Sequence, residues 1–262
     1  MLNPLITLTT DFGSVDHFTG TMKGVIYNIA PRVRIVDISH EIQPFEVTDA
    51  AFVIAQAYSY FPKKTIHVVV IDPGVGSARR PLLAEMAGQH FIAPDNGVLS
   101  MICAREKAKV RHITAERYFL SPLSRTFHGR DIFAPVAAHL AAGVKPAQFG
   151  KQVDDYLRLN LVKASRTGKR NWTGVVLKVD HFGNLITNLR IDEFQAVRTR
   201  PFELNIGLEK LTRLALTFSE GNPGELFVIV GSSGYLEVAA NQDSAARRLR
   251  CGAGSPVELT LY

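Results

Sequence analysis

The sequence predicts an α/β protein in two parts. A layered amino-terminal α/β domain with a mostly parallel central sheet is followed by a small all-β domain, a barrel or a sandwich. Three observations predict this. Strand-like and helix-like periods alternate as far as about residue 142, the pattern of a layered α/β domain. One run, Thr65 to Ile71, is apolar on both faces, as a strand covered on both sides of a parallel sheet must be. From about Trp172 the runs become short, strand-like and divided by Gly, Pro and Asn. At 262 residues the chain has ample length for these cores. The polar stretch 163–171 reads as a linker, which gives domains over 1–165 and 172–262.

The elements follow in order. Leu5 to Leu8 reads as a strand. Phe18, Met22, Val25, Ile26 and Ile29 recur at helical spacing and stop at Pro31, so the helix spans Phe18 to Ile29. Arg34 to Ile38 is a short strand, and Glu46 to Tyr58 a helix that ends before Phe61-Pro62. Leu82 to Ala87 and His90 to Ala93, joined across Gly88-Gln89, form a hairpin. Asn96 to Arg105 and Asp131 to Ala142 are helical, with Gly143 closing the second and Asp95-Asn96-Gly97 capping the first. In the second part the strands are Thr173 to Val179, Leu185 to Leu189, Phe202 to Ile206, Leu211 to Phe218, Leu226 to Val230, Tyr235 to Ala239 and Pro256 to Leu261. Only Asp243 to Arg250 reads as helix there.

Composition narrows the function. No apolar run reaches the roughly 20 residues that span a bilayer, and Met1-Leu2-Asn3-Pro4 lacks the basic start and apolar block of a signal peptide. The expected setting is the cytoplasm, away from membranes. Cys103 and Cys251 are far apart and outside any zinc spacing, and the eight histidines form no ligand pair, so no metal is expected. The net charge of +6 is mild. Its densest part holds Arg158, Lys163, Arg166, Lys169 and Arg170 without interleaved aromatics, a solvated linker rather than a nucleic-acid surface.

Three segments place a lone carboxylate beside glycine where a strand ends: Asp11 in Thr9–Gly13, Asp72 in Ile71–Ser77 and Asp180 in Val179–Asn184. Strand ends are the common ligand sites of α/β sheets, and glycine admits backbone close to a ligand. Spread over the whole chain, they suggest one polar small-molecule site built from distant segments. Asp72-Pro73-Gly74-Val75-Gly76-Ser77-Ala78-Arg79-Arg80 is no P-loop, because no Lys-Ser/Thr pair follows its glycines. It lets Arg79 fold back toward Asp72, and it also reads as a structural turn with a surface Arg pair. His128 stands beside Gly129 just before a helix. Asp11 and Asp180 can accept from hydroxyls or an ammonium group, or simply cap turns, and Asn184 and Asn188 can meet a base edge or form turns. Ser232-Ser233-Gly234 reads as a hairpin loop or a carboxylate-binding nest.

Taken in order, Thr9–Gly13, Lys23-Gly24, Asp37–His40, Asp72–Ser77 with Arg79, Ala93–Gly97, Thr126–Asp131 and Asp180–Asn184 resemble the S-adenosylmethionine hydroxide adenosyltransferase family, relatives of the bacterial fluorinase and chlorinase. The resemblance runs from residue 5 to about 250. It implies an amino-terminal α/β domain and a carboxyl-terminal β-barrel. It further implies a homotrimer whose pockets lie between one subunit's amino domain and its neighbour's carboxyl domain. The family's hydrolytic Asp, Arg and His fall on Asp72, Arg79 and His128, and its ribose-binding aspartate on Asp11. Residues that hold the methionine ammonium and adenine fall on Asp180, Phe182 and Asn184. The methionine-carboxylate loop falls on Ser232 and Ser233, although halogenating relatives carry arginine at the second position. Phe45 and Phe218 line the implied pocket. The implied reaction converts S-adenosyl-L-methionine and water to adenosine and L-methionine, with no cofactor.

Two rivals are a halide adenosyltransferase and a non-catalytic adenosine or S-adenosylmethionine sensor. Against the first, Asp72 stands where halogenating relatives have tyrosine, and a carboxylate repels a halide. A His128-Gly129 pair replaces their Tyr-Ser, and only a short hairpin joins Arg80 to Pro94 where they carry a long insertion. Against the second, a mere binder needs no water-activating Asp72, Arg79 and His128.

Overall fold

The strand apolar on both faces, β3 (Ile66–Val70), is buried at every residue and lies in the interior of a six-stranded sheet. The computed structural model describes residues 3–262, so Met1 and Leu2 of the segment read above lie outside the described residues. Two compact units divide at Asn160/Leu161.

In the first unit β1 (Leu5–Thr10), α1 (Phe18–Ile29), β2 (Arg34–Ser39) and α2 (Val47–Ala57) precede β3. The strands β4 (Pro81–Met86) and β5 (Gln89–Pro94), helix α3 (Ser100–Cys103), strand β6 (Lys109–His112) and helix α4 (Ala134–Ala141) follow it. The sheet order is β2-β1-β3-β5-β4-β6. Strands β2, β1, β3 and β5 run parallel, whereas β4 is antiparallel to both β5 and β6. The sheet is therefore mixed, which corrects the expected mostly parallel one. The cause is local: Ala87 and Gly88 both have positive φ (52° and 75°), the geometry that turns a two-residue hairpin back on itself. Strand β6 alternates charged residues with a single buried Val110, so no apolar period marks it. Met22 and Ile26 of α1 and Val136 and Leu140 of α4 pack with Leu8, Val68 and Ile92 of the sheet. Helix α3 is one turn long, and its N-cap position, Leu99, carries no side-chain cap; the expected cap at Asp95 and Asn96 lies further back in the chain, where Asn96 Oδ1 accepts from the Val98 amide (3.2 Å). Asn96 Nδ2 donates to the Ile71 carbonyl (2.8 Å), and Asp95 Oδ1 accepts from the Leu157 amide (2.8 Å).

The second unit holds β7 (Ser165–Arg166), β8 (Asn171–Val179), β9 (Leu185–Arg190), β10 (Phe202–Ile206), β11 (Glu209–Leu211), β12 (Leu214–Ala215), β13 (Leu226–Val230), β14 (Tyr235–Ala240), α5 (Ala245–Leu249) and β15 (Pro256–Leu261). Its order is β11-β10-β15-β8-β9-β14-β13-β12, with β7 added to β8. No ladder joins β11 to β12 among the described residues, and the sheet is a curled half-barrel, a coarser form of the barrel expected. The run Leu211 to Phe218, expected as one strand, is broken into β11, β12 and a 3₁₀ turn at Phe218–Glu220. Val176, Leu189, Leu204, Val228, Leu236 and Leu259 form its core.

Candidate active site

Asp72 follows β3 after a single residue, so the most buried strand of the first unit sets its place. The chain then turns twice. The Val75 amide donates to the Asp72 carbonyl (3.1 Å) and the Ser77 amide to the Gly74 carbonyl (3.2 Å). Gly76 is required there: its φ is +76°, and a Cβ would lie 2.2 Å from the Arg125 carbonyl oxygen. These turns bring Arg79 back onto Asp72 as a two-point pair, Nε to Oδ1 at 2.9 Å and Nη2 to Oδ2. Arg79 Nη2 also donates to His128 Nδ1 (2.9 Å). The structure therefore joins Asp72, Arg79 and His128 in one cluster. The Arg pair of the sequence divides: Arg79 turns inward, while Arg80 ties Asp95 (2.8 Å) to Asp155 (2.9 Å).

The electrostatics of the cluster are set by burial. The Asp72 and Arg79 side chains are 5% and 6% exposed. Burial pushes the Asp72 carboxyl above its ordinary value, against the pull of the Arg79 charge. His128 is held below its ordinary value by burial and then by Arg79. Arginine only donates, so Nδ1 of a neutral His128 accepts and the ring proton sits on Nε2. Arg79 lies over the Phe133 ring (5.2 Å), and its buried Nη1 has no acceptor among the described residues. His128 is placed by a π-type turn, Gly129–Phe133, that leads into α4. Such turns recur at functional sites because they re-aim a side chain without ending the helix. Behind it, buried Asp131 accepts from the Ser124 amide (2.8 Å) and pairs with Arg130.

Asp11, one residue past β1, accepts from the Phe45 amide at Oδ2 (2.9 Å), so these two are also neighbours. Phe45 has φ +70° and is 71% exposed. In the second unit Asp180 folds its own loop. Oδ1 accepts from the Phe182 and Asn184 amides (2.9 and 2.8 Å), and Oδ2 from Asn184 Nδ2 (2.8 Å). Phe182 stands out from that loop, 77% exposed, and Asn184 is buried. Ser232 and Ser233 occupy the β13–β14 turn, closed by the Gly234 amide on the Gly231 carbonyl (2.9 Å). Phe218 sits in the turn after β12, half-exposed. Asn188 serves the fold: Oδ1 accepts from the Val175 amide (2.8 Å) and Nδ2 donates to the Val162 carbonyl (2.9 Å).

One residue of this region escaped the sequence reading. Ser233 Oγ donates to Glu237 of β14 (3.4 Å), whose carboxyl is pushed up to about 7 by burial and by the charge of Asp180. The signal was there to read, a lone carboxylate within Tyr235–Ala240, a strand buried at every position.

Two family models match, the SAM hydroxide adenosyltransferase N-terminal domain over residues 6–150 and the C-terminal domain of the same family over 174–258. The chain is 36% identical to an (R)-S-adenosyl-L-methionine hydrolase of Salinispora tropica over 98% of both chains. It is 28% identical to a fluorinase of an Actinoplanes species, again over 98% of both. A crystal structure of an uncharacterized conserved protein from Thermotoga maritima superposes with a TM-score of 0.91 at 35% identity, covering 97% of this chain and 99% of that one.

Proposed function

We infer the reaction from one premise: the chain belongs to the SAM hydroxide adenosyltransferase family. It is an S-adenosyl-L-methionine hydrolase that forms adenosine and L-methionine. Relatives at 33–36% identity over nearly the whole chain carry that name, specified as the (R) epimer, and fluorinases are more distant. The sulfonium sulfur bears three different carbons and is a stereocentre, so the proposed substrate is the (R) form.

The observation that carries the mechanism is the buried cluster of Asp72, Arg79 and His128, with Arg79 Nη1 lacking an acceptor among the described residues. A water oxygen attacks the ribose 5′ carbon and the carbon–sulfur bond breaks. Its electron pair passes to sulfur, which leaves as a neutral thioether, so no acid is needed. The water loses one proton, which Asp72 accepts; burial, by raising its carboxyl, makes it a better base. Arg79 Nη1 and the Nε2–H of His128 donate to the developing hydroxide. In a water-excluding site such donors are worth several kcal/mol, and holding the water in line with the bond is worth several more. Hydroxide and sulfonium neutralise each other along this path, so exclusion of bulk water favours the transition state. No oxidation state changes, and the proposed chemistry uses neither metal nor redox cofactor.

Asp11 is proposed to hold the ribose hydroxyls, with Phe45 beside it. Asp180, Phe182 and Asn184 are assigned to the ammonium and the adenine, Ser232 and Ser233 to the carboxylate, and Phe218 to the pocket lining. The active form is proposed to be a homotrimer in the cytoplasm, a reducing setting that suits two free cysteines. Chromatography of products from the separate (R) and (S) epimers tests the reading. It predicts adenosine and methionine in equal amounts, faster from (R). Formation of 5′-chloroadenosine in chloride, or of no nucleoside product, would contradict it.

A further inference from the structure

Asp11 lies just past Thr10, the last residue of β1, so the sheet ladder does not fix it. A carboxylate that spans two vicinal hydroxyls needs a fixed main chain, because short charge-assisted bonds tolerate little drift. His40, just past the end of β2, holds the chain on both sides of Asp11. Its ring Nδ1 lies 2.8 Å from Thr10 Oγ1, and its carbonyl accepts from the Gly13 amide (2.8 Å). Thr10 is fully buried, and its Oγ1 also accepts from the Phe12 amide (3.3 Å). The ladder is irregular just before this point: Leu8 pairs with Asp37 but Thr9 with Ser39, which passes over Ile38. Such irregularities recur beside active sites because they re-aim side chains.

The ring is itself held from behind. Nε2 lies 3.1 Å from Asp37 Oδ1, off the angle of a hydrogen bond, and Asp37 Oδ2 accepts from Lys23 Nζ of α1 (2.6 Å). A carboxylate only accepts, so the proton of the neutral ring sits on Nε2 and Nδ1 accepts from the Thr10 hydroxyl. Lys23, Asp37 and His40 thus form one polar chain from α1 through β2 to the end of β1. The His40 side chain is 10% exposed, and an imidazole so placed needs partners that an apolar side chain would not. The proposed chemistry uses none of the three.

We propose that His40 is a positioning residue for ribose recognition: through the Thr10 hydroxyl it holds Asp11 where its carboxylate meets the 2′ and 3′ hydroxyls. The inference rests on the reading of Asp11 as the ribose holder. The Phe45 amide fixes the carboxylate end of Asp11 (2.9 Å), and His40 fixes its main chain. A ligand without the two hydroxyls gains nothing from a carboxylate held in that way. His40 therefore matters to adenosine and not to its dideoxy analogue.

Calorimetric titration of the full chain with adenosine and 2′,3′-dideoxyadenosine, which lacks only those hydroxyls, tests this. The parent should bind adenosine at least about tenfold more tightly, since two charge-assisted hydrogen bonds are at stake. His40→Ala should bind adenosine about fivefold more weakly, with dideoxyadenosine within about twofold of the parent. Damage to the fold would weaken both ligands alike, so that selectivity separates positioning from mere structure. His40→Asn, whose side-chain oxygen accepts where Nδ1 does, should keep most of the affinity. Thr10→Val removes the same hydrogen bond from the other side and should show the same selective loss, which carries the test if His40→Ala does not fold. A parent that binds both ligands equally would withdraw the ribose reading of Asp11 and this proposal with it. A parent that discriminates, with variants that lose neither ligand or both alike, would overturn the role of His40 and leave that reading standing.

Discussion

Arg79 combines duties that only a guanidinium can combine. Nε and Nη2 hold Asp72, Nη2 also reaches His128, and Nη1 is left as a buried donor. A lysine at this position offers one compact centre and cannot hold both neighbours in a planar fork. Arg79→Lys is therefore expected to lose most of the activity. Arg79→Ala and Asp72→Ala should each lower kcat by about a hundredfold or more. Affinity for S-adenosyl-L-homocysteine should change little, because these groups act on the water and not on the ligand. Single-turnover kinetics beside calorimetry on the same variants checks this, and parent-like rates in both alanine variants would return the Asp72 loop to a plain turn. His128 is expected to act as a donor through Nε2, so His128→Asn, whose carboxamide NH₂ keeps a donor there, should retain more activity than His128→Ala.

At the scale of elements, β3 carries both the site and a liability. His67 lies inside it, fully buried, with Nδ1 2.7 Å from Thr7 Oγ1 and its ring stacked on Phe91 (4.7 Å). Burial lowers its pKa to about 4 from 6.5, so the fold holds it neutral. An unfolded chain binds a proton at this residue below pH 6.5, and the folded one does not until about pH 4. Stability is thus complete above pH 6.5 and falls between those limits, by about 3 kcal/mol at 1.36 kcal/mol per unit. Urea unfolding from pH 7.5 to 4.5 should show that slope, and His67→Phe should flatten it; a slope unchanged in the variant would acquit His67. The apolar period of β3 and the helical spacing of α1 were plain in the sequence, because each element buries a whole face. The antiparallel half of the first sheet was less legible: β6 has one buried residue to announce it, and positive φ at Ala87 leaves no mark in residue type. Asp72 and Arg79 were legible as a turn that folds back. The contact of Arg79 with His128 was not, since 49 residues separate them and only the π-type turn aims the ring. Glu237 is not legible as a site residue, because a buried strand announces itself by its apolar residues and gives no sign of what a single carboxylate within it meets.

For the whole molecule, the two units have separate cores, and the residues assigned to one substrate are drawn from both. A homotrimer is the proposed active form, and a cyclic arrangement gives three equivalent sites. Light scattering should give three times the 28.9 kDa chain mass, with activity per subunit falling on dilution below the assembly constant; a monomer fully active at nanomolar concentration would contradict this. The sulfur epimer could not be read from the sequence, because it depends on how a pocket meets three substituents on one atom. The central claim is that water, and no other nucleophile, displaces methionine at the ribose 5′ carbon. Mass spectrometry of adenosine formed from (R)-S-adenosylmethionine in ¹⁸O-labelled water containing chloride tests it most directly. One labelled oxygen per adenosine, located at the 5′ position, is the predicted result. Unlabelled adenosine, or a 5′-chlorinated nucleoside in its place, would contradict it.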